Sequence, residues 1–344
     1  IIMKVSVVIL NWNGCDMLRT FLPSVVRYSA GEGIEVCVAD NGSTDASVTL
    51  LQQEFPSVRT IVLDQNYGFA DGYNLALQQV DAEYVVLLNS DVEVTEHWLE
   101  PMIAYLDKHP EVAACQPKIR SQRQKEYFEY AGAAGGFIDK YGYPFCRGRI
   151  MGVVEKDEGQ YDTVIPVFWA TGAALFIRRT DYVNVGGLDG RFFAHMEEID
   201  LCWRLRSRNR EIVCIPQSIV YHVGGATLKK ENPHKTFLNF RNNLVMLYKN
   251  LPQEELNKVM RIRTCLDYLA AFNFLLQGHW DNASAVMRAR KEYKLLCPSF
   301  SLSREENMRK KTLNPIPERT KSSILWQFYA RGCKRFSQLS DLKG

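Results

Sequence analysis

Residues 4–10, KVSVVIL, form a continuous apolar run, the pattern of a strand covered on both faces. Residues 15–29 (CDMLRTFLPSVVRYS) space their apolar side chains along one face of a helix. IEVCVAD (34–40) predicts a second buried strand, and STDASVTLLQQEF (43–55) a helix capped by Ser43 or Thr44. VRTIVLD (58–64) predicts a third strand, with FADGYNLALQQV (69–80) as the helix behind it. AEYVVLLN (82–89) predicts a fourth, followed by a helix near 95–108 with Thr95 as N-cap and a fifth strand near 112–119. Strand and helix thus alternate with short connections, which predicts an α/β fold with a mostly parallel sheet and helices on both faces.

The pattern then changes twice. Residues 120–165 are rich in Gly and Tyr without a helical period, and predict loops and hairpins over part of a site. ATGAALFIRR (170–179) returns to strand character, VGGLDGRFF (185–193) is a turn, and EEIDLCWRLRSR (197–208) is an amphipathic helix. EIVCIP (211–216) and SIVYHVGG (218–225) predict two more strands. Beyond Leu228 three helices are expected, at about 235–250, 253–278 and 280–296, then a polar basic stretch (303–323) leading to ILWQFYARGCKRFSQL (324–339). The chain therefore divides into an α/β part, 1–230, and a helical extension, 231–344.

Charge sharpens that division. The formal net charge of the 344 residues is only +3, but residues 231–344 hold 20 Lys and Arg against 10 Asp and Glu, leaving the first 230 residues at −7. A basic carboxy-terminal third suggests an anionic surface as partner. Nine cysteines without a C-x-x-C pair read as free thiols in a reducing compartment. The first strand begins at once, so no signal peptide is expected, and the longest apolar run (164–177) is too short to span a bilayer. A cytoplasmic protein, soluble or peripheral on the inner membrane face, is the expectation.

Candidate chemistry lies where ligands bind on such sheets, beyond the carboxyl ends of the strands. Asn11-Trp12-Asn13, Asp40-Asn41-Gly42, Asn66 and Asp91 all stand there. In LLNSDVEV (87–94), Asp91 and Glu93 are two residues apart, so an extended chain points them the same way. Like charges on one face repel unless a cation sits between them, and a hard divalent metal is the usual remedy. The alternative is a solvated strand end. NYGFADGYN (66–74) offers backbone N–H groups at a helix start that suit phosphate, or is a plain loop. It is neither the dinucleotide fingerprint nor a P-loop, which disfavours NAD enzymes and P-loop ATPases. Glu197, Glu198 and Asp200 suit either a favourable helix dipole or a general base. His222, followed by the flexible backbone and cations of VGGATLKK (223–230), suits a ligand beside a diphosphate, or a structural role.

The ordered set VSVVILNWNG, VADNGSTD, NYGFADGYN, LLNSDVEV, ATGAALFIRR, GGLDGRFFAHMEEIDLCWRLR and VYHVGGAT resembles the family-2 glycosyltransferases of the GT-A fold, the nucleotide-diphospho-sugar transferase fold. The likeness spans residues 5–227 and is closest to the rhamnosyltransferase-like branch. It implies that Asn11, Trp12, Asn13, Asp40, Asn66, Gly68, Phe69, Asn74 and Ser90 hold a dTDP- or UDP-sugar. Asp91 falls on the first acid of the family's Asp-x-Asp motif, binding Mg²⁺ or Mn²⁺, with Glu93 where the family often has Asp and His222 completing the metal shell. Glu197-Glu198 falls on the Glu-Asp motif whose second acid is the base. Glu198 there departs from the pattern, and Asp200 is the alternative. The implied reaction is inverting transfer to a hydroxyl of a glycan or lipid-linked acceptor; the rival is a catalytically inactive sugar-nucleotide-binding or scaffold protein of the same fold. No nucleic-acid-reading module is present. In the tail, Trp326, Phe328, Tyr329 and Phe336 among Arg331, Lys334 and Arg335 would, in a helix, suit an anionic membrane. The alternative is packing on the catalytic part or on a second subunit in a homodimer.

Overall fold

A computed structural model of the protein describes residues 2–224 and 232–340. Its main sheet contains β1 (Met3–Asn11), β2 (Ile34–Asn41), β3 (Arg59–Leu63), β4 (Ala82–Asn89), β5 (Val92–Val94) and β6 (Val112–Ser121). A smaller antiparallel sheet follows, made of β7 (Gly136–Ile138), β8 (Pro144–Cys146), β9 (Arg149–Ile150) and β10 (Val153–Val154). It fills the region where hairpins were expected. β11 (Ile165–Pro166), β12 (Ala174–Arg178) and β13 (Glu211–His222) complete the main sheet, whose order is β11-β13-β6-β12-β4-β1-β2-β3, with β5 also paired to β13.

β1 to β4 run parallel, with Asn11 beside Asp40, Asn41 beside Leu63 and Leu10 beside Asn89. That register brings the polar ends of the strands to one rim. β1 reads as continuous apolar sequence because both its faces are covered. On one side Val8, Ala39 and Leu87 pack with α3 (Gly68–Gln78) and α6 (Glu197–Ser207). On the other, Val7, Ile9 and Leu88 pack with α1 (Cys15–Tyr28) and α4 (Glu100–Lys108).

Three local expectations differ. β12 inserts antiparallel between β4 and β6, because the chain reaches it through a long excursion rather than a crossover helix. The two strands expected over 211–225 are one strand, β13, with a register slip between Ile215 and Ile219; Pro216, which has no N–H to donate, lies in the slip. Neither expected N-cap forms. α2 (Ser47–Glu54) starts later, Ser43 Oγ instead accepts from Asn13 N at 2.9 Å, and Thr95 Oγ1 donates to Ile219 O at 2.7 Å. A short helix, α5 (Arg179–Asn184), follows β12.

The carboxy-terminal helices fall close to their expected bounds: α7 (Pro233–Asn250), α8 (Gln253–Leu276) and α9 (Trp280–Leu296), then α10 (Ser301–Lys310). The tail is not one helix. It has a single π-type turn at Trp326–Ala330 and a 3-10 turn at Phe336–Gln338. Phe336 is buried against Phe137, Phe145 and Tyr161, while Trp326 and Tyr329 stay exposed. The aromatic set expected to act together is thereby split between core and surface. Among the described residues no helix is long and apolar enough to cross a membrane.

Candidate active site

The rim at the ends of β1 and β2 is held by side chains on each other's backbone. Buried Asp40 accepts from Asn11 Nδ2 at 3.1 Å and from Ser43 N at 2.9 Å. Asn13, with φ of 49°, accepts from Thr44 N at 2.8 Å. Asn11 Oδ1 is buried without a hydrogen-bond partner. A Cβ on Gly14 would stand 2.4 Å from it and 3.7 Å from Ser90 Oγ, so Ser90 belongs to the same cluster. Trp12 is half exposed at the lip.

Asn66 and Gly68 join this rim through Asn41, which the sequence reading placed at the same strand end without a role of its own. Asn41 Nδ2 donates to Asn66 Oδ1 and to Gly68 O, both at 3.0 Å, and Asn41 Oδ1 accepts from Tyr67 N at 3.0 Å. Asn74 does not join them. It donates to Leu188 O at 2.8 Å and accepts from Leu188 N at 3.1 Å and Tyr182 Oη at 2.7 Å. Its amide is spent tying α3 to the Gly-Gly-Leu turn.

Across the rim, Asp91 Oδ1 lies 3.2 Å from His222 Nε2, the last residue of β13. His222 Nδ1 lies 3.3 Å from Glu129 Oε2 without hydrogen-bond geometry. Burial alone would lower the His222 pKa, but the two carboxylates outweigh it and push it up to about 10. β5 pairs Val92 with His222, and this sets Asp91 beside the imidazole. Glu93, opposite Tyr221, instead receives Lys125 Nζ at 3.0 Å. Shared alternation did not give Asp91 and Glu93 shared partners. Glu129, from the Gly-rich excursion, carries no sequence signal. The cations expected after His222, Lys229 and Lys230, lie outside the described residues.

The acids of α6 separate sharply. Asp200 is fully buried and receives Arg204 Nε at 3.0 Å, Lys249 Nζ at 2.8 Å and Asn250 Nδ2 at 2.8 Å. A fully buried carboxylate held by three donors, two of them cationic, ties α6 to α7 and is out of reach of a substrate hydroxyl. This disfavours the alternative base. Glu197 and Glu198 each bury an Oε2 without a hydrogen-bond partner. Burial raises both pKa values, and for Glu197 the charge of Glu198 adds to it. Glu198 Cβ lies 3.7 Å from a Cβ built on Gly172, which would also stand 3.3 Å from Phe69 Cζ. Glu198 and Phe69 therefore flank Gly172, next to Ala173, whose carbonyl accepts from Asn89 N at the end of β4.

The loop delivering these glutamates is strained. Phe193, His195 and Met196 have φ of 65°, 71° and 73°, a left-handed region that costs side-chain-bearing residues free energy. Asn242 of α7 holds it, its Nδ2 donating to Phe192 O at 2.9 Å and to Ala194 O and His195 O at 2.8 Å. A lone Asn in a helix gave no sequence signal for this role. Asn242→Ala should cost about 2 kcal/mol of stability through orphaned carbonyls. It should lower kcat about tenfold or more with donor KM little changed, since misplacement acts on the reacting geometry. Denaturant melts and steady-state kinetics check both.

The end of the parallel sheet, on a GT-A fold, thus carries a polar rim, an Asp–His pair and, beside Gly172, a glutamate with a buried, unpartnered oxygen. GalNAc-T7, solved with UDP, GalNAc and Mn²⁺, superposes with a TM-score of 0.57 over 93% of this chain and 59% of that one, at 15% identity, which speaks for the fold alone. The model for "Glycosyl transferase family 2" matches residues 6–174. The chain is a glycosyltransferase that resembles the rhamnosyltransferase-like branch of family 2. It is 26% identical over 230 residues to the N-acetylglucosaminyl-diphospho-decaprenol L-rhamnosyltransferase of Mycobacterium tuberculosis, covering 63% of this chain and 75% of that one. It is also 25% identical over 163 residues to rhamnosyltransferase WbbL of Escherichia coli K12, covering 45% and 61%.

Proposed function

We infer that the protein moves a sugar from a nucleoside-diphosphate donor, a dTDP- or UDP-sugar, to a hydroxyl of a glycan or lipid-linked acceptor, with inversion. The observations that carry this are the Asp91–His222 pair just beyond β4 and Glu198 beside Gly172, whose neighbour Ala173 accepts from Asn89 N at the end of β4. Asn11, Asp40, Asn13, Asn66 and the Gly68 backbone hold the nucleoside, and Ser90 and Phe69 border the sugar. The catalytic unit is residues 1–230, with 231–344 as a basic helical extension that braces it.

One carboxylate and one imidazole fit a divalent ion that takes its remaining ligands from a diphosphate and water. The nitrogen donor favours Mn²⁺ over Mg²⁺. When bound, such an ion supplies charge stabilisation for the departing nucleoside diphosphate. Asp91 and His222 would hold it, His222 giving up its proton to do so. Glu198 takes the proton of the acceptor hydroxyl as that oxygen attacks the anomeric carbon from the face away from the diphosphate. The sugar–phosphate bond breaks as the new glycosidic bond forms. GalNAc-T7 binds UDP and Mn²⁺ on the same fold, and the mycobacterial relative is named for a lipid diphosphate acceptor; both support the reading.

A panel of nucleotide sugars, each with and without Mn²⁺, tests it by thermal shift. The true donor should raise Tm by roughly 5 °C at a hundredfold excess over its Kd, and only with the metal. No shift with any nucleoside diphosphate would reject the donor class.

A further inference from the structure

The distal half of α8 turns an apolar face to solvent. Tyr268, Leu269, Phe272, Leu275 and Leu276 recur at helical spacing, and Trp280 follows at the turn into α9. Leu276 is 71% exposed, Trp280 69% and Leu269 62%. Six large apolar side chains on one hairpin tip exceed the scatter normal for a surface. The exposed charges around them are mostly positive. Lys258 and Arg261 continue the α8 face toward its amino end, and Arg288, Lys291 and Lys294 lie on α9, against exposed Glu254 and Asp281. The hairpin is thus graded, apolar at the tip and cationic behind it.

Its tip also has a defined relation to the site. Asn282, in the first turn of α9, donates to Thr236 Oγ1 in the first turn of α7 at 2.7 Å. Asn242, about 9 Å further along α7 at 1.5 Å per residue, is the residue that clamps the loop before Glu197 and Glu198. Lys235 and His234, in that same first turn, contribute to holding His195 down to about 4, after burial. The apolar tip and the active-site loop share one end of the helical layer.

We propose that the α8–α9 tip docks on an anionic lipid bilayer and holds the active-site mouth against it. Aromatic and leucine side chains enter the headgroup boundary, and the cations behind them meet lipid phosphates, the polarity order a bilayer interface presents. A second copy of the chain would match the apolar tip but leave the cations uncompensated. The inference uses the transferase reading only for its purpose, delivery of a lipid-anchored acceptor, because docking requires no donor.

Flotation of the full chain with phosphatidylcholine vesicles, with and without phosphatidylglycerol, tests it. Binding should need the anionic lipid and weaken as salt rises. The surface variant Phe272→Glu with Leu276→Glu should lower the partition coefficient about tenfold or more. Its thermal shift with a nucleotide sugar should stay unchanged, which separates this proposal from the donor reading. Trp326→Ala with Tyr329→Ala should leave flotation intact. Failure of the wild type to float, equal flotation of the hairpin variant, or loss only in the tail variant would overturn the proposal. So would a light-scattering dimer that the hairpin variant dissolves while vesicles bind neither form.

Discussion

Asp91→Asn is expected to abolish transfer, with kcat down about a thousandfold, while the protein folds and still recognises the nucleoside. The amide keeps the shape and an oxygen facing His222 Nε2, now 3.2 Å from Oδ1, but removes the charge a divalent ion requires. Several kcal/mol of leaving-group stabilisation are at stake, and each 1.36 kcal/mol is about tenfold in rate. A pH measurement on chelator-treated protein separates this local effect from unfolding. The His222 pKa is raised to about 10 from an ordinary value near 6.5, so its pairing stabilises the fold fully below pH ~6.5 and is lost as pH rises through ~10. In Asp91→Asn one of the two carboxylates is gone, so stability should fall less over that window. Glu129 remains to hold the imidazolium. Wild-type turnover in the variant would remove the metal from the mechanism; an unchanged stability profile would remove Asp91 from the His222 pair.

Much of the architecture was legible because it is local. The runs of β1, β2 and β4 and the periodicity of α7 to α9 depend on which faces are covered, and that is written into each segment. Partner choice is not local. Nothing within 174–178 says that β12 lies antiparallel between β4 and β6. The same limit governs the site. Asp91 was readable as a strand-end acid, but whether it shares partners with Glu93 depended on β13 arriving beside β5 and bringing His222. Asn74 sits in the right motif and still faces the wrong way, since helix α3 turns it toward Leu188. One distinction is local. Arg204 lies four residues after Asp200, the spacing of a helical ion pair, and that alone marked Asp200 as occupied. Asn242, on α7, and Glu129, in the Gly-rich excursion, act through single side chains far along the chain from their partners, and no pattern announces them.

Glu198→Gln should eliminate transfer while leaving donor affinity within about twofold, because the amide preserves volume but accepts no proton. Three features make this variant decisive. Glu198 Oε2 is buried and unpartnered, so no internal ion pair collapses when the charge is removed. Burial already holds its pKa up, so the wild-type kcat/KM should rise with pH through a value above the ordinary glutamate range, and the variant should lack that limb. The stability sign is the same as that of His222. A carboxyl whose folded pKa is raised favours folding only while protonated, a contribution present below its unfolded pKa and lost as pH rises through the folded one. Above its folded pKa the ionised, buried carboxylate therefore costs stability, and there Glu198→Gln should melt higher than wild type, with the gap closing as pH falls. Asp200→Asn should do the reverse, weakening contacts with Arg204, Lys249 and Asn250 and lowering Tm with kcat reduced only as far as α6 shifts. An inactive but stabilised Glu198→Gln beside a destabilised, partly active Asp200→Asn is the expected pair of results. If Glu198→Gln turns over at the wild-type rate and Glu197→Gln does not, the base is the neighbouring glutamate.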